Sequence, residues 1–132
     1  MIPRVPISWG ELIDKLSILE IKAERLHQPR AVLNATTELA LLREVMAELQ
    51  APPAELTMLQ AQLSEANRRL WDIEDAIRHK EASQTFDAEF IALARAIYRT
   101  NDQRSRIKRA INTLLGSSII EEKQYVGYRD SD

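Results

Sequence analysis

The sequence predicts an all-α fold, an antiparallel bundle of four main helices with a C-terminal segment folded back on it. Three observations carry that prediction. Only three glycines occur in 132 residues, too few for a chain built of hairpins and tight turns. Apolar residues recur at alternating steps of three and four over four long stretches, which is the period of one helix face. The breaks between the stretches fall at Pro29, at Pro52 and Pro53, and at the short run from Ser83 to Phe86. A chain of this length suits one domain over residues 1–132, able to remove roughly two thirds of its unfolded surface from water.

Ser8 and Glu11 have the spacing of a capping box, with Ile7 and Leu12 at the positions of a hydrophobic staple, so the first helix is expected to begin at Ser8. It places Leu12, Leu16, Leu19, Ala23 and Leu26 on one seam, and Ile18 and Ile21 on a second apolar edge beside Asp14 and Arg25. Apolar on two sides, it should be central. Pro29 ends it or opens the next segment.

The second helix begins between Pro29 and Asn34, where Asn34 can cap, and ends before Pro52; its seam is Val32, Thr36, Leu39, Leu42, Met46 and Leu49. The third runs from about Pro53 to Ala82 on Leu56, Leu59, Leu63, Asn67, Leu70, Glu74 and Ile77. The fourth opens at Asp87, with Phe86 and Ile91 as staple, and continues to Gly116, a residue suited to the left-handed C-terminal position. Beyond it, Ile119, Ile120, Tyr125 and Val126 make the tail too apolar for a free end, so it should dock back on the bundle in extended form.

The inward stripe of the fourth helix reads Ile97, Asn101, Arg104, Lys108, Ile111 and Leu115, apolar at its ends and polar in its middle. Burying a neutral polar group without a partner costs on the order of 2 to 7 kcal/mol, and a charge costs more, so something must compensate. The short connection makes helices three and four antiparallel neighbours, and counting outward from it sets Glu74 near Arg95, Trp71 near Tyr98, and Asn67 near Asn101 and Asp102. Polar positions therefore coincide in space. A structural hydrogen-bond layer and a ligand site fit Asn67, Asn101 and Asp102 equally. Arg104 and Lys108, like charges four residues apart, need an anion: Asp14, Glu11, or Glu121 and Glu122 folding back, or a phosphate or carboxylate ligand. The candidate ligand-binding set is Asn67, Trp71, Tyr98, Asn101, Asp102, Arg104 and Lys108.

Net charge is −2, from 18 basic and 20 acidic residues, so no global field recruits nucleic acid; Arg95, Arg99, Arg106 and Arg109 read as a solvated face. Without cysteine there are no disulfides, thiol catalysis or thiolate metal sites. The acidic cluster Asp72, Glu74 and Asp75 has no histidine at Glu-x-x-His spacing, so no metal and no cofactor is expected. The N-terminus lacks a signal-type apolar core and no run suits a membrane span, which reads as a cytoplasmic protein. Walker, dinucleotide, nucleophile-elbow and zincin motifs are missing, leaving catalysis without motif support.

The segments SWGELIDKLSILEIKAERL, ANRRLWDIEDAIR, FDAEFIALARAIYRTNDQRSRIKRAIN and GSSIIEEKQY together resemble a family of small bacterial proteins classed as a domain of unknown function. The likeness covers nearly the whole chain, weakest across residues 27–60, and its distinctive elements are Asn-Asp-x-Arg and Gly-Ser-x-x-x-Glu-Glu-Lys. Such proteins look like helical units found alongside glycosyltransferase and surface-polysaccharide genes. The resemblance therefore implies an accessory role in cell-surface glycan assembly and a glycosyltransferase as a partner, and it transfers no catalytic residues. The first helix is also loosely similar to that of an all-helical chorismate mutase, whose full Arg, Lys and Glu set does not align with this chain. The leading expectation is a noncatalytic ligand-binding or protein-interaction module with an anion-recognising polar layer. A small helical enzyme acting on a phosphorylated or carboxylated metabolite, and a structural homodimer, are the alternatives.

Overall fold

The computed structural model describes residues 1–129, so the parts of the expected domain and tail at Asp130, Ser131 and Asp132 lie outside the described residues. Four helices and no strand are found among the described residues: α1 (Trp9–Arg25), α2 (Pro29–Met46), α3 (Glu55–Ala82) and α4 (Ala88–Leu114). They form a four-helix bundle of two helical hairpins, α1 with α2 and α3 with α4. α1 also packs on both α3 and α4, while α2 pairs along its length with α1 alone.

That arrangement explains the two apolar sides of α1. One side, Leu12, Leu16 and Leu19, meets Ala35 and Leu39 of α2. The other meets α3 and α4 through Ile13, Leu56, Leu63, Ala66, Ile107 and Ile111. Trp9 and Met46 pack against both cores and join them at one end. In α2 the buried position is Ala35 rather than the expected Thr36; the Thr36 hydroxyl faces outward and donates to the Val32 carbonyl of its own helix at 2.9 Å.

The helix ends follow local chemistry. Ser8 Oγ accepts from the Glu11 amide at 3.1 Å, capping α1. The reciprocal half of the expected capping box does not form, because the Glu11 carboxylate binds Lys108 at 2.7 Å, a stronger charge-assisted bond. Pro29 opens α2 at its first turn and Asn34 lies inside the helix, not at its cap. α3 begins at Glu55, two residues beyond Pro53, whose carbonyl accepts from Leu56. Asp87 caps α4 through the Phe90 amide at 3.0 Å, but the Phe86–Ile91 staple is not packed: both are exposed, and Phe86 instead meets Phe90 edge-on.

At the far end of α4, Gly116 adopts φ +61°. The Gly116 and Ser117 amides donate to the Thr113 and Asn112 carbonyls, the left-handed closure that glycine allows. The chain then turns back along α4 without regular structure. The tail docks, though through polar anchors rather than the apolar residues expected to hold it. Glu121 reaches Lys108, Glu122 reaches Arg109, and the Tyr128 hydroxyl donates to Asp102, while Ile119, Ile120 and Val126 remain exposed. The flank of α4 beneath it is charged, so carboxylates and a phenol fit where isoleucines do not.

α1 and α4 come into backbone contact at Gly10. Its amide donates to Asn112 Oδ1 at 2.7 Å, and a Cβ there would lie 2.5 Å from the Lys108 carbonyl oxygen. Alanine is the better helix former by about 1 kcal/mol, yet this contact reverses the sign. Gly10→Ala should destabilise the fold by about 1 to 3 kcal/mol in urea denaturation, because backbone rather than a flexible side chain blocks the added methyl. A stabilised variant would show that the two helices can separate there at no cost.

Candidate functional site

The polar layer forms where α3 and α4 face α1, and Asp14 is its centre. This carboxylate is 1% exposed, among the most buried side chains of the molecule. Arg104 grips it with two guanidinium nitrogens, Nε at 2.8 Å from Oδ1 and Nη2 in a shorter contact with Oδ2. Asn67 Nδ2 donates to Asp14 Oδ1 at 3.0 Å and to Ser17 Oγ at 3.2 Å. Lys108 Nζ, also buried, stands 3.8 Å from Asp14 Oδ2, 2.7 Å from Glu11 and 3.3 Å from Glu121. One α1 carboxylate thus binds side chains from both other helices.

The anion required by Arg104 and Lys108 is internal. Asp14, Glu11 and Glu121 supply three carboxylates against the two cations, so no further anion is needed for neutrality in the layer. Burial pushes the Asp14 carboxyl up, but the hydrogen bonds from Arg104 and Asn67 and the charges of Arg104 and Lys108 outweigh it and hold it below the ordinary carboxylate value. Lys108 is displaced the other way: burial pulls it down, and its carboxylate partners raise it above the usual lysine value. At Glu121 burial raises the carboxyl, and Lys108 brings it net below its usual value.

The sequence-derived candidates divide between two sides of α4. Asn67, Trp71, Asn101 and Arg104 line one open cleft of about 460 Å³, with Ile18 of α1 as part of its floor and Glu74, Asp75 and Arg78 along its α3 wall. Arg25 lies over the Trp71 ring, its guanidinium carbon 6.0 Å from the centroid, and bonds Asp72 at 2.7 Å. Tyr98 and Asp102 face the tail, where Tyr98 meets the Tyr128 ring edge-on at 5.2 Å. Trp71 and Tyr98 therefore do not share a site, as the register count had implied. Asn101 borders both spaces, and Lys108 stands beneath the tail.

Glu74 and Asp75 of the acidic cluster pair with Arg78 and His79 one turn on. Among the described residues no group of histidine and carboxylate side chains has a metal-holding arrangement, and no helix is long and apolar enough to cross a membrane. Sequence reasoning passed over Asn112 and Ser117, which fasten the start of α1 to the end of α4 through Gly10 and Trp9. The glycine in the first turn of a helix was their available signal.

Fold and site together define a small all-helical protein organised on a buried ion-pair layer, with a polar cleft on one side of it. Residues 3–130 match the family of unknown function DUF6165, and the chain belongs to that family. No curated protein and no solved structure matches it.

Two predictions follow from the layer. Asp14→Asn leaves Arg104 and Lys108 with less compensation and should cost about 3 to 5 kcal/mol in urea denaturation. Arg104→Met should cost a similar amount, and the double variant less than the sum by on the order of 1 to 3 kcal/mol; strict additivity would mean that the two do not act as a unit. Stability against pH should show a plateau. The depressed Asp14 contributes fully above its unfolded value and is lost as pH falls below about 4, whereas the raised Lys108 contributes fully below its unfolded value and is lost above about pH 10. In Asp14→Asn the acid limb should flatten.

Proposed function

We propose that this chain is a single-domain, noncatalytic ligand-binding module whose cleft between α3 and α4 takes a small hydroxylated molecule bearing one anionic group, as a sugar phosphate or sugar acid does. The carrying observation is the placement of Trp71 beside Asn67, Asn101 and Arg104 in one open cleft. A tryptophan ring offers an apolar face, two side-chain amides offer donors and acceptors, and Arg104 offers the one guanidinium nitrogen that Asp14 does not hold.

The layer beneath gives the cleft its stiffness. Arg104 is held by Asp14 on two nitrogens, leaving Nη1 turned to Asn101 Oδ1 at 3.4 Å, a long bond that a ligand oxygen can replace at little loss. Across the cleft Arg78 is tied only to Glu74 in an exposed pair, which contributes little and frees its charge for an anionic group. In this reading Lys108, Tyr98 and Asp102 support the site from the tail side. The cleft is open, which favours binding over a reaction that must exclude water. An accessory role in bacterial cell-surface glycan assembly, with a glycosyltransferase as recipient, accords with the family resemblance and with a sugar-type ligand.

A thermal-shift screen of the full chain against sugar phosphates, sugar acids, inorganic phosphate and dicarboxylates tests this. A ligand at about a hundred times its dissociation constant adds roughly 2.7 kcal/mol, a clear rise in the melting midpoint. The rise should vanish in Trp71→Ala and shrink in Arg78→Gln, both at partly or fully exposed positions that leave Asp14 paired. A response to phosphate equal to that of the sugar phosphates would reduce the site to an anion contact, and no response to any compound would sink the reading.

A further inference from the structure

The other side of α4 holds a second space unused by the cleft. Three hollows lie along the groove between α4 and the C-terminal segment, and they adjoin at Ser105 and Lys123, which line all three. Its two ends differ in chemistry. The larger end, about 540 Å³, is walled by Tyr98, Tyr125, Tyr128, Ile97 and Val126. Tyr98 and Tyr128 stand at 75° to one another, and Tyr98 and Tyr125 are 43% and 71% exposed, so aromatic surface faces the opening. The narrower end, about 170 Å³, is bordered by Arg106, Lys108, Arg109 and Lys123.

The groove is lined by more cations than carboxylates, although Lys108 and Arg109 are also paired with Glu11, Asp14 and Glu122, which do not line it. Its walls carry four cations, Arg106, Lys108, Arg109 and Lys123, against the two carboxylates Asp102 and Glu121, in a chain whose net charge is −2. Both carboxylates are engaged, Asp102 by the Tyr128 hydroxyl and Glu121 by Lys108 and Lys123. Lys108 is committed to the buried layer, and Arg109 is bonded by Glu122. Arg106 is exposed and Lys123 meets Glu121 only at 3.6 Å, which leaves these two charges to meet an incoming anion. Tyr98 and Arg106 are separated by eight residues of one helix, about 12 Å at 1.5 Å per residue.

A ligand that fits must present a flat ring at one end and clustered negative charge at the other. We propose that the groove between α4 and the C-terminal segment is a nucleotide-binding site for a nucleoside diphosphate, its base against Tyr98 and Tyr125 and its phosphates against Arg106 and Lys123. Stacking on tyrosine is indifferent to which base is present, and Arg106 provides the forked donor geometry that a phosphate accepts. The tail supplies Tyr125, Tyr128 and Lys123, so the site exists while Glu121, Glu122 and Tyr128 hold the tail in place.

The test is a titration of the ¹⁵N-labelled full chain with ADP and with UDP, run beside adenosine, uridine and inorganic pyrophosphate, and followed by amide chemical shifts. Both nucleotides should move the amides of Tyr98, Ser105, Arg106 and Tyr125 in a saturable way, and the nucleosides alone should bind far more weakly. Tyr125→Ala and Arg106→Gln, both at the surface, should each weaken binding about tenfold while leaving the amides around Asp14 unchanged. Pyrophosphate binding as tightly as the nucleotides would overturn the proposal, since the aromatic end would then contribute nothing. So would shifts confined to Asn67, Trp71 and Asn101, which would assign the nucleotide to the cleft; absence of saturable shifts at millimolar nucleotide would do the same. Failure of the groove proposal through absent shifts or through pyrophosphate binding leaves the cleft reading standing.

Discussion

A carboxylate removed from water is the constraint on which this structure depends. An ion of that size pays several kcal/mol to leave solvent, and only close, well-directed partners return it. Asp14 obtains them from Arg104, Asn67 and Lys108, one from α3 and two from α4. The requirement fixes how far along α1 each of the other helices must lie. A shift of either helix by one turn would strand the charge, whereas the leucine and isoleucine contacts around it would tolerate such a slip far better. The apolar cores supply the driving force, and the layer selects one register out of those the cores allow.

The same layer reaches outward in both directions. Through Arg104 it supports the cleft containing Trp71, and through Lys108 and Glu121 it holds the tail against α4. Asn101 borders the spaces on either side. Two concave surfaces therefore rest on a common base, although they differ in composition: amides, one ring and mixed charge on one side, three tyrosines with Arg106 and Lys123 on the other.

Most of the fold could be read from the chain because its signals are local. Caps at Ser8 and Asp87, proline at Pro29, glycine at Gly116 and the two apolar sides of α1 each depend on a few neighbouring residues. The polar stripe Asn101, Arg104 and Lys108 also announced itself, since only its position in an apolar seam was needed. What remained hidden was pairing across distance. The sequence offers Asp14, beside Glu11, Glu121 and Glu122, as a carboxylate for Arg104 and Lys108, but not which of them meets which cation, since Asp14 and Arg104 lie ninety positions apart. Trp71 and Tyr98 were joined by a register count that gives height along two helices but not the angle around them. Asn101 and its neighbour Asp102 differ by about 100° around α4, enough to put one in the cleft and the other under the tail. The apolar residues of the tail misled in a different way, because hydropathy alone does not reveal that the surface receiving them is charged.

α2 stands apart from this network. Its buried contacts are apolar and lie along α1, with Met46 as its link to the second core. A segment held on one flank is the natural candidate for partial opening ahead of the rest, and its detachment would bare Leu12, Leu16 and Leu19 without disturbing Asp14. Amide exchange across this molecule should then be graded rather than uniform, with α2 exchanging through local opening and the α1, α3 and α4 amides around the layer waiting for global unfolding. The molecule is in this sense a three-helix body with a fourth helix packed on one side of it.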